Sequence, residues 1–103
     1  MQAMPTPILE AISFLRRALG GQAELYLFGS RARGAGRSGS DYDVAIRSRA
    51  PLSWQEFAVM KTRAEDIAWP WSIDVVDLHR IPEQFRRFIE TDGILLDELL
   101  SAN

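Results

Sequence analysis

Residues 24–46 read ELYLFGSRARGAGRSGSDYDVAI, and the fold turns on how this stretch divides. Residues 24–28 (ELYLF) form a short apolar run that ends at a glycine, the form of a buried strand. Residues 29–40 hold four glycines and three arginines with no continuous apolar face, which predicts a loop with room for one helical turn after Ser30. Residues 41–46 (DYDVAI) read as the next strand. Side chains on a strand alternate between faces, so Asp41 and Asp43 are expected on one side, with Tyr42 and Val44 on the other.

The flanking sequence supplies helices. Upstream, Ile8, Ala11, Ile12, Leu15 and Leu19 recur at helical spacing, with Thr6 expected as the N-cap, Pro7 as the first helical residue and Gly20-Gly21 as the stop. Downstream, Pro51 precedes Ser53-Trp54-Gln55-Glu56, which has the spacing of a capping box. The box opens a helix through Trp54, Phe57, Lys61, Ala64 and Ile67-Ala68; Trp69-Pro70-Trp71 ends it, because proline cannot continue a helix. Residues 72–78 (SIDVVDL) give a third strand, and Pro82 opens a last helix through Phe85, Phe88 and Ile89. Asp92-Gly93 then turns the chain into a leucine-rich tail. Three strands and three helices in this order predict an α+β (mixed α/β) fold, a small mixed β-sheet flanked by helices, with residues 1–103 as one domain.

Composition narrows the function. With 47% apolar and 25% charged residues, the chain suits a packed core and not a disordered segment. Cysteine is absent, which excludes a disulfide scaffold, a thiolate metal site and a cysteine nucleophile. No apolar run nears the roughly 20 residues that a membrane helix needs, and the N-terminus lacks the pattern of a signal peptide. A cytoplasmic protein is expected. A net charge of −2 argues against direct nucleic-acid binding. Eleven of the 12 basic residues are arginine, and Arg31, Arg33, Arg37, Arg47 and Arg49 crowd one segment. Arginine suits bidentate contact with phosphate or carboxylate.

The candidate site grows from the same stretch. Two carboxylates side by side on a strand repel unless they are solvated at an edge or share a divalent cation. Hard cations such as Mg²⁺ take one or two carboxylates, with substrate phosphates completing the shell. Asp74 and Asp77 in the third strand face opposite sides, so only one can join Asp41 and Asp43. Asp74 is chosen because it lies mid-strand, where an unpaired charge is costly, whereas Asp77 sits nearer the strand end and is expected closer to solvent. Gly29-Ser30, a tight turn after a strand, can cradle a phosphate with its N–H groups and hydroxyl. On this reading Gly29→Val blocks the triphosphate and leaves the fold largely intact. An arginine can stabilise charge developing on phosphorus or simply pair with the acids; Arg31 and Arg33 both fit, and Arg33 is taken as the nucleotide contact. A phosphate cradle facing a carboxylate metal site is the layout of two-metal phosphoryl or nucleotidyl transfer.

At this point LFGSRARGAGRSGSDYDVAI (27–46), with SIDVVDL (72–78) and IPEQFRRFIETDGILL (81–96), resembles the minimal nucleotidyltransferase group of the DNA polymerase β superfamily. The shared signature is Gly-Ser, a ten-residue spacer and Asp-x-Asp. The resemblance implies two Mg²⁺ ions held by Asp41, Asp43 and Asp74, with Gly29 and Ser30 on the triphosphate of ATP. Members of the group are commonly antitoxins encoded beside a HEPN-domain ribonuclease toxin, and the better understood ones transfer AMP from ATP to a tyrosine of that toxin. The implied partners are therefore a nucleotide and a HEPN-domain toxin, in an assembly with that toxin. Two rival readings are an antitoxin that only masks its toxin and a transferase acting on a small acceptor such as an aminoglycoside. The last ranks lowest, because larger superfamily members use an extra domain to grip the acceptor and none is legible in these residues.

Other residues are read more plainly. Asp77 is expected to cap or to support its neighbours, His79 to lie on the surface, and Trp69 and Trp71 to plug the core at a strand entry. Arg37, Arg47 and Arg49 are expected as solvated charges or partner contacts. Phe85, Phe88, Leu95, Leu96, Leu99 and Leu100 are many large apolar residues for the end of so small a chain, and some are expected to meet a partner.

Overall fold

Apolar alternation along the strands sorts one sheet into two unlike faces. The computed structural model describes residues 4–34 and 41–96. The chain runs α1 (Thr6–Leu19), β1 (Glu24–Phe28), α2 (Gly29–Ala32), β2 (Tyr42–Arg47), α3 (Trp54–Ala68), β3 (Ile73–Asp77), α4 (Glu83–Asp92) and β4 (Ile94–Leu95), with a 3₁₀ turn at Leu78–Arg80. The sheet order is β3-β2-β1-β4. β1 pairs antiparallel with both β2 and β4, while β2 and β3 are parallel and joined through α3.

The first face is apolar except at the end of β3, where Asp77 follows Ile73 and Val75 in the alternation. Leu25 and Leu27 from β1, Tyr42, Val44 and Ile46 from β2, and Ile73 and Val75 from β3 pack against α1 and α3. α1 contributes Ile8, Ala11, Ile12 and Leu15, the stripe legible from its spacing. The second face is covered only in part: Tyr26, Phe28 and Ala45 meet Leu78 of the 3₁₀ turn and Ile89 of α4, and Phe85 packs edge-on against Phe28.

Helix ends show what local chemistry controls. The capping box at α3 forms as expected, with Glu56 N–H donating to Ser53 Oγ at 3.0 Å and Ser53 N–H to Glu56 Oε1 at 2.9 Å. Such a cap contributes about 1 kcal/mol. α1 differs from expectation. Thr6 is already helical and caps nothing; Pro5 is the N-cap, and its carbonyl accepts from the N–H groups of Ile8 (3.0 Å) and Leu9 (3.1 Å). With the backbone satisfying that turn, no side chain is required.

Two further expectations change. Trp69 is 77% exposed and Trp71 is also on the surface, so neither plugs the core. Ala68 and Ile73 occupy the buried positions on either side, and the two tryptophans lie on the outer path between α3 and β3. A fourth strand, β4, also adds to the three expected, pairing Ile94 with Leu27 and Leu95 with Tyr26. Gly93 makes this return possible: a Cβ there would stand 2.5 Å from the Ile89 carbonyl oxygen and 3.3 Å from that of Leu27. Leu96 follows into the main core, whereas Leu99 and Leu100 lie outside the described residues. Among the described residues no helix is long and apolar enough to cross a membrane.

Candidate active site

Strand direction concentrates the chemistry at one corner of the second face. Because β1 runs against β2, the end of β1 lies beside the start of β2, with Phe28 opposite Asp43. Because β3 runs with β2, Asp43 is also the register partner of Asp74. Neighbouring strands lie about 4.8 Å apart, so the two carboxylates stand next to each other on the same face. Burial raises the Asp43 carboxyl above the usual carboxylate range, and the charges of Asp74 and Asp41 raise it further.

Asp41 occupies a different place from its strand neighbour. β2 begins at Tyr42, whose N–H donates to the Ser72 carbonyl at 2.9 Å, and Asp41 is exposed just ahead of it. Among the described residues no three His, Cys, Asp or Glu side chains stand in metal-binding geometry. What stands assembled is the pair Asp43–Asp74, with the charge of Asp41 near enough to act on Asp43. Two adjacent carboxylates, one partly buried and pushed toward protonation, form a donor set that suits a hard divalent cation completed by phosphate oxygens.

Asp74 has a partner that sequence reasoning missed. Lys61 Nζ on α3 donates to Asp74 Oδ1 at 2.9 Å and approaches the Val75 carbonyl at 3.5 Å. Glu65, one turn along α3, lies 3.5 Å from the same ammonium. Burial alone would lower the Lys61 pKa, but the hydrogen bond and charge of Asp74, with help from Glu65, outweigh it and leave it raised. The available signal was compositional: Lys61 is the only lysine in the chain.

Gly29 closes the corner. Its φ of +76° lies in the left-handed region, and a Cβ there would run into Oδ2 of Asp43. The backbone therefore packs directly on the carboxylate, and Gly29→Val disturbs the fold as well as the site, contrary to the sequence expectation. Ser30 is the second residue of the single helical turn α2, half-buried, in the part of a helix whose N–H groups lack intrahelical partners. Arg33 ends that turn in the open and lines, with Phe28, Gly29, Ala32, Phe88 and Asp92, a cleft of about 460 Å³. Arg31 instead stacks over the Tyr42 ring, 4.4 Å from its centroid.

The remaining candidates have structural surroundings. Asp77 is 2% exposed, not solvent-facing as its position near the strand end suggests. Its Oδ1 accepts from the His79 N–H at 3.0 Å and caps the 3₁₀ turn, while Oδ2 faces Arg80 Nε at 3.3 Å. His79 is exposed, with Nε2 2.9 Å from the Ser48 carbonyl oxygen. Arg47 is not a loose charge; it pairs with Glu24 and Glu90 and donates to the Tyr26 hydroxyl at 3.1 Å.

Known proteins are similar to this chain in sequence and in fold. The chain is 31% identical over 74 residues to "Probable protein adenylyltransferase MntA" of Haemophilus influenzae, covering 72% of this chain and 65% of that relative. It thus spans a little under two thirds of that relative's length. Among solved structures, a toxin–antitoxin complex with AMP-PNP superposes with a TM-score of 0.69 at 25% identity, over 84% of this chain and 70% of that one. The MNT antitoxin complex with tri-AMPylated HEPN toxin of Shewanella oneidensis matches with a TM-score of 0.63 at 23% identity, over 90% of this chain and 76% of that one, a likeness of fold. The polymerase beta nucleotidyltransferase family pattern matches residues 22–99, which takes in β1, the Gly-Ser turn, Asp41, Asp43, Asp74 and α4. By that match the chain belongs to the polymerase beta nucleotidyltransferase family.

Proposed function

We propose that the protein is a Mg²⁺-dependent nucleotidyltransferase that moves AMP from ATP to a tyrosine hydroxyl of a HEPN-domain ribonuclease toxin, acting as that toxin's antitoxin in the cytoplasm. One observation carries the reading: Asp43 and Asp74 stand side by side on one face, with the Gly29 backbone packed on Asp43. The relative named for protein adenylylation and the toxin–antitoxin complex holding AMP-PNP support it from outside.

Asp41, Asp43 and Asp74 are the proposed metal ligands. Bound there, two Mg²⁺ ions would polarise the α-phosphate and lower the pKa of the attacking hydroxyl. The chain's own groups hold and orient the reactants. Amides at Gly29 and Ser30 and the Ser30 hydroxyl receive the triphosphate, and Arg33 balances its charge from the rim of the cleft. The hydroxyl oxygen bonds to the α-phosphorus as the bond to pyrophosphate breaks, and a carboxylate oxygen of Asp74 takes the proton.

A second reading, a toxin-masking protein without catalysis, draws on the position of Asp41 outside β2. One experiment separates the two. With α-labelled ATP, Mg²⁺ and the HEPN-domain partner, label should appear covalently on the partner, and Asp43→Asn should cut that transfer by at least about 100-fold. If Asp43→Asn still neutralises the toxin as well as the wild type, masking is the function.

A further inference from the structure

The chain meets almost every need for positive charge with arginine; Lys61 is the one exception among 12 basic residues. That exception touches the candidate site. The two cations differ in a way that matters here. A guanidinium presents a planar fork that takes both oxygens of a carboxylate, whereas an ammonium is a compact charge on a flexible stem. Lys61 Nζ engages Oδ1 of Asp74, the Val75 carbonyl and Glu65, at 2.9, 3.5 and 3.5 Å. The second Asp74 oxygen is not among its partners. Glu65 and the Val75 carbonyl give the ammonium somewhere to stay if Oδ1 is drawn away.

We propose that Lys61 is a positioning residue that acts through Asp74: it stands in for a cation at the Asp43–Asp74 pair and opposes metal binding until nucleotide phosphates add their charge. The inference rests on the metal-site reading above and deepens it. Without a cation, two neighbouring carboxylates repel, and the Lys61 charge relieves that repulsion. The same charge repels an incoming divalent ion. A triphosphate brings several negative charges to the corner, which offsets Lys61 and favours the ion. The site thus loads with metal and nucleotide together and stays largely free of metal alone. An arginine at 61 would hold both Asp74 oxygens and block the ion, while an uncharged residue would remove the opposition.

The test measures Mn²⁺ binding by calorimetry on the full chain, with and without a non-hydrolysable ATP analogue. Wild type should bind Mn²⁺ weakly alone and more tightly with the analogue. Lys61→Met should bind Mn²⁺ alone about tenfold more tightly, as expected for loss of one like charge near the ion. Lys61→Arg should bind no more tightly than wild type. In an Asp74→Asn background, Lys61→Met should give no gain, because the effect passes through Asp74. Melting curves verify that each variant is folded, and Lys61→Gln gives the same reading should Lys61→Met unfold. A folded Lys61→Met or Lys61→Gln that binds Mn²⁺ no better than wild type overturns the inference, as does a gain that survives Asp74→Asn. If wild type takes up no Mn²⁺ even with the analogue, the metal site itself is overturned and this inference with it.

Discussion

The two faces of the sheet obey different rules although the same strands build both. On the face under α1 and α3, every strand position but Asp77 at the end of β3 delivers an apolar side chain, and the core closes over Leu25, Leu27, Val44, Ile46 and Val75. On the other face, alternate positions of the same strands deliver Asp43, Arg47 and Asp74, and α4 covers only the part around Tyr26, Phe28 and Ala45. The first face is held by burial, which is non-directional and tolerant of how it is filled. The second depends on charges being matched one by one: Lys61 to Asp74, and Arg47 to Glu24 and Glu90. A rigid apolar layer beneath thus fixes the backbone from which an electrostatically unfavourable acidic pair can project.

That division can be broken experimentally. The largest effect belongs to the apolar face. Leu27 is 1% exposed, and Leu27→Ala should cost about 2–5 kcal/mol in urea unfolding through the cavity it leaves. Protein that remains folded should bind ATP as before; a parallel fall in nucleotide affinity would mean the faces are not separable. Gly29→Ala comes next, because it strikes the joint between fold and site. Left-handed backbone at a non-glycine residue costs about 1–2 kcal/mol, and the new Cβ displaces the Asp43 carboxylate. Stability and nucleotide affinity should fall together, measured by urea titration and calorimetry on the same samples. Lost affinity with unchanged stability would restore the simpler picture of an open cradle.

Legibility in the sequence follows the same line. β1 matches the residues expected from its apolar run, and β2 and β3 differ from their expected bounds only at their ends. The α3 capping box was readable because all its partners lie within three residues. The second face was legible only where a strand's own alternation reached, which sets Asp43 and Asp74 on a face but says nothing of register between strands. Lys61 lies 13 residues from Asp74, and its helical spacing with Phe57 and Ala64 says nothing of which strand residue it meets. β4 is two residues long, too short for any alternation, and exists because Gly93 lets the chain fold back along β1. Asp77 was misplaced because the end of a strand need not be the edge of a molecule: the 3₁₀ turn and Arg80 fold over it.

The smallest effect is the most specific to the acidic pair. Burial raises the Asp43 carboxyl, and Asp74 and Asp41 add to the shift. An acid whose folded pKa exceeds its unfolded value of about 3.9 supports folding fully below that value and loses this support as pH rises through the raised one. At pH 7 the ionised Asp43 therefore works against the fold, and Asp43→Asn should relieve it. Solvent reaches this face, so screening keeps the gain below about 1 kcal/mol, a rise of a few degrees in Tm for a chain of this size. Asp74→Asn should move the other way, since it removes the negative charge that pairs with Lys61. The measurement is a set of melting curves in EDTA at pH 4 and pH 7. Asp43→Asn should exceed wild type at pH 7, with the gap closing toward pH 4 as the wild-type carboxyl takes its proton. Saturating Mg²⁺ and ATP should then reverse the order at pH 7, because ligand that binds the native wild type adds to its stability. An Asp43→Asn protein that melts well below wild type in EDTA would show Asp43 to be a structural partner, and the two faces would then differ in composition but not in kind.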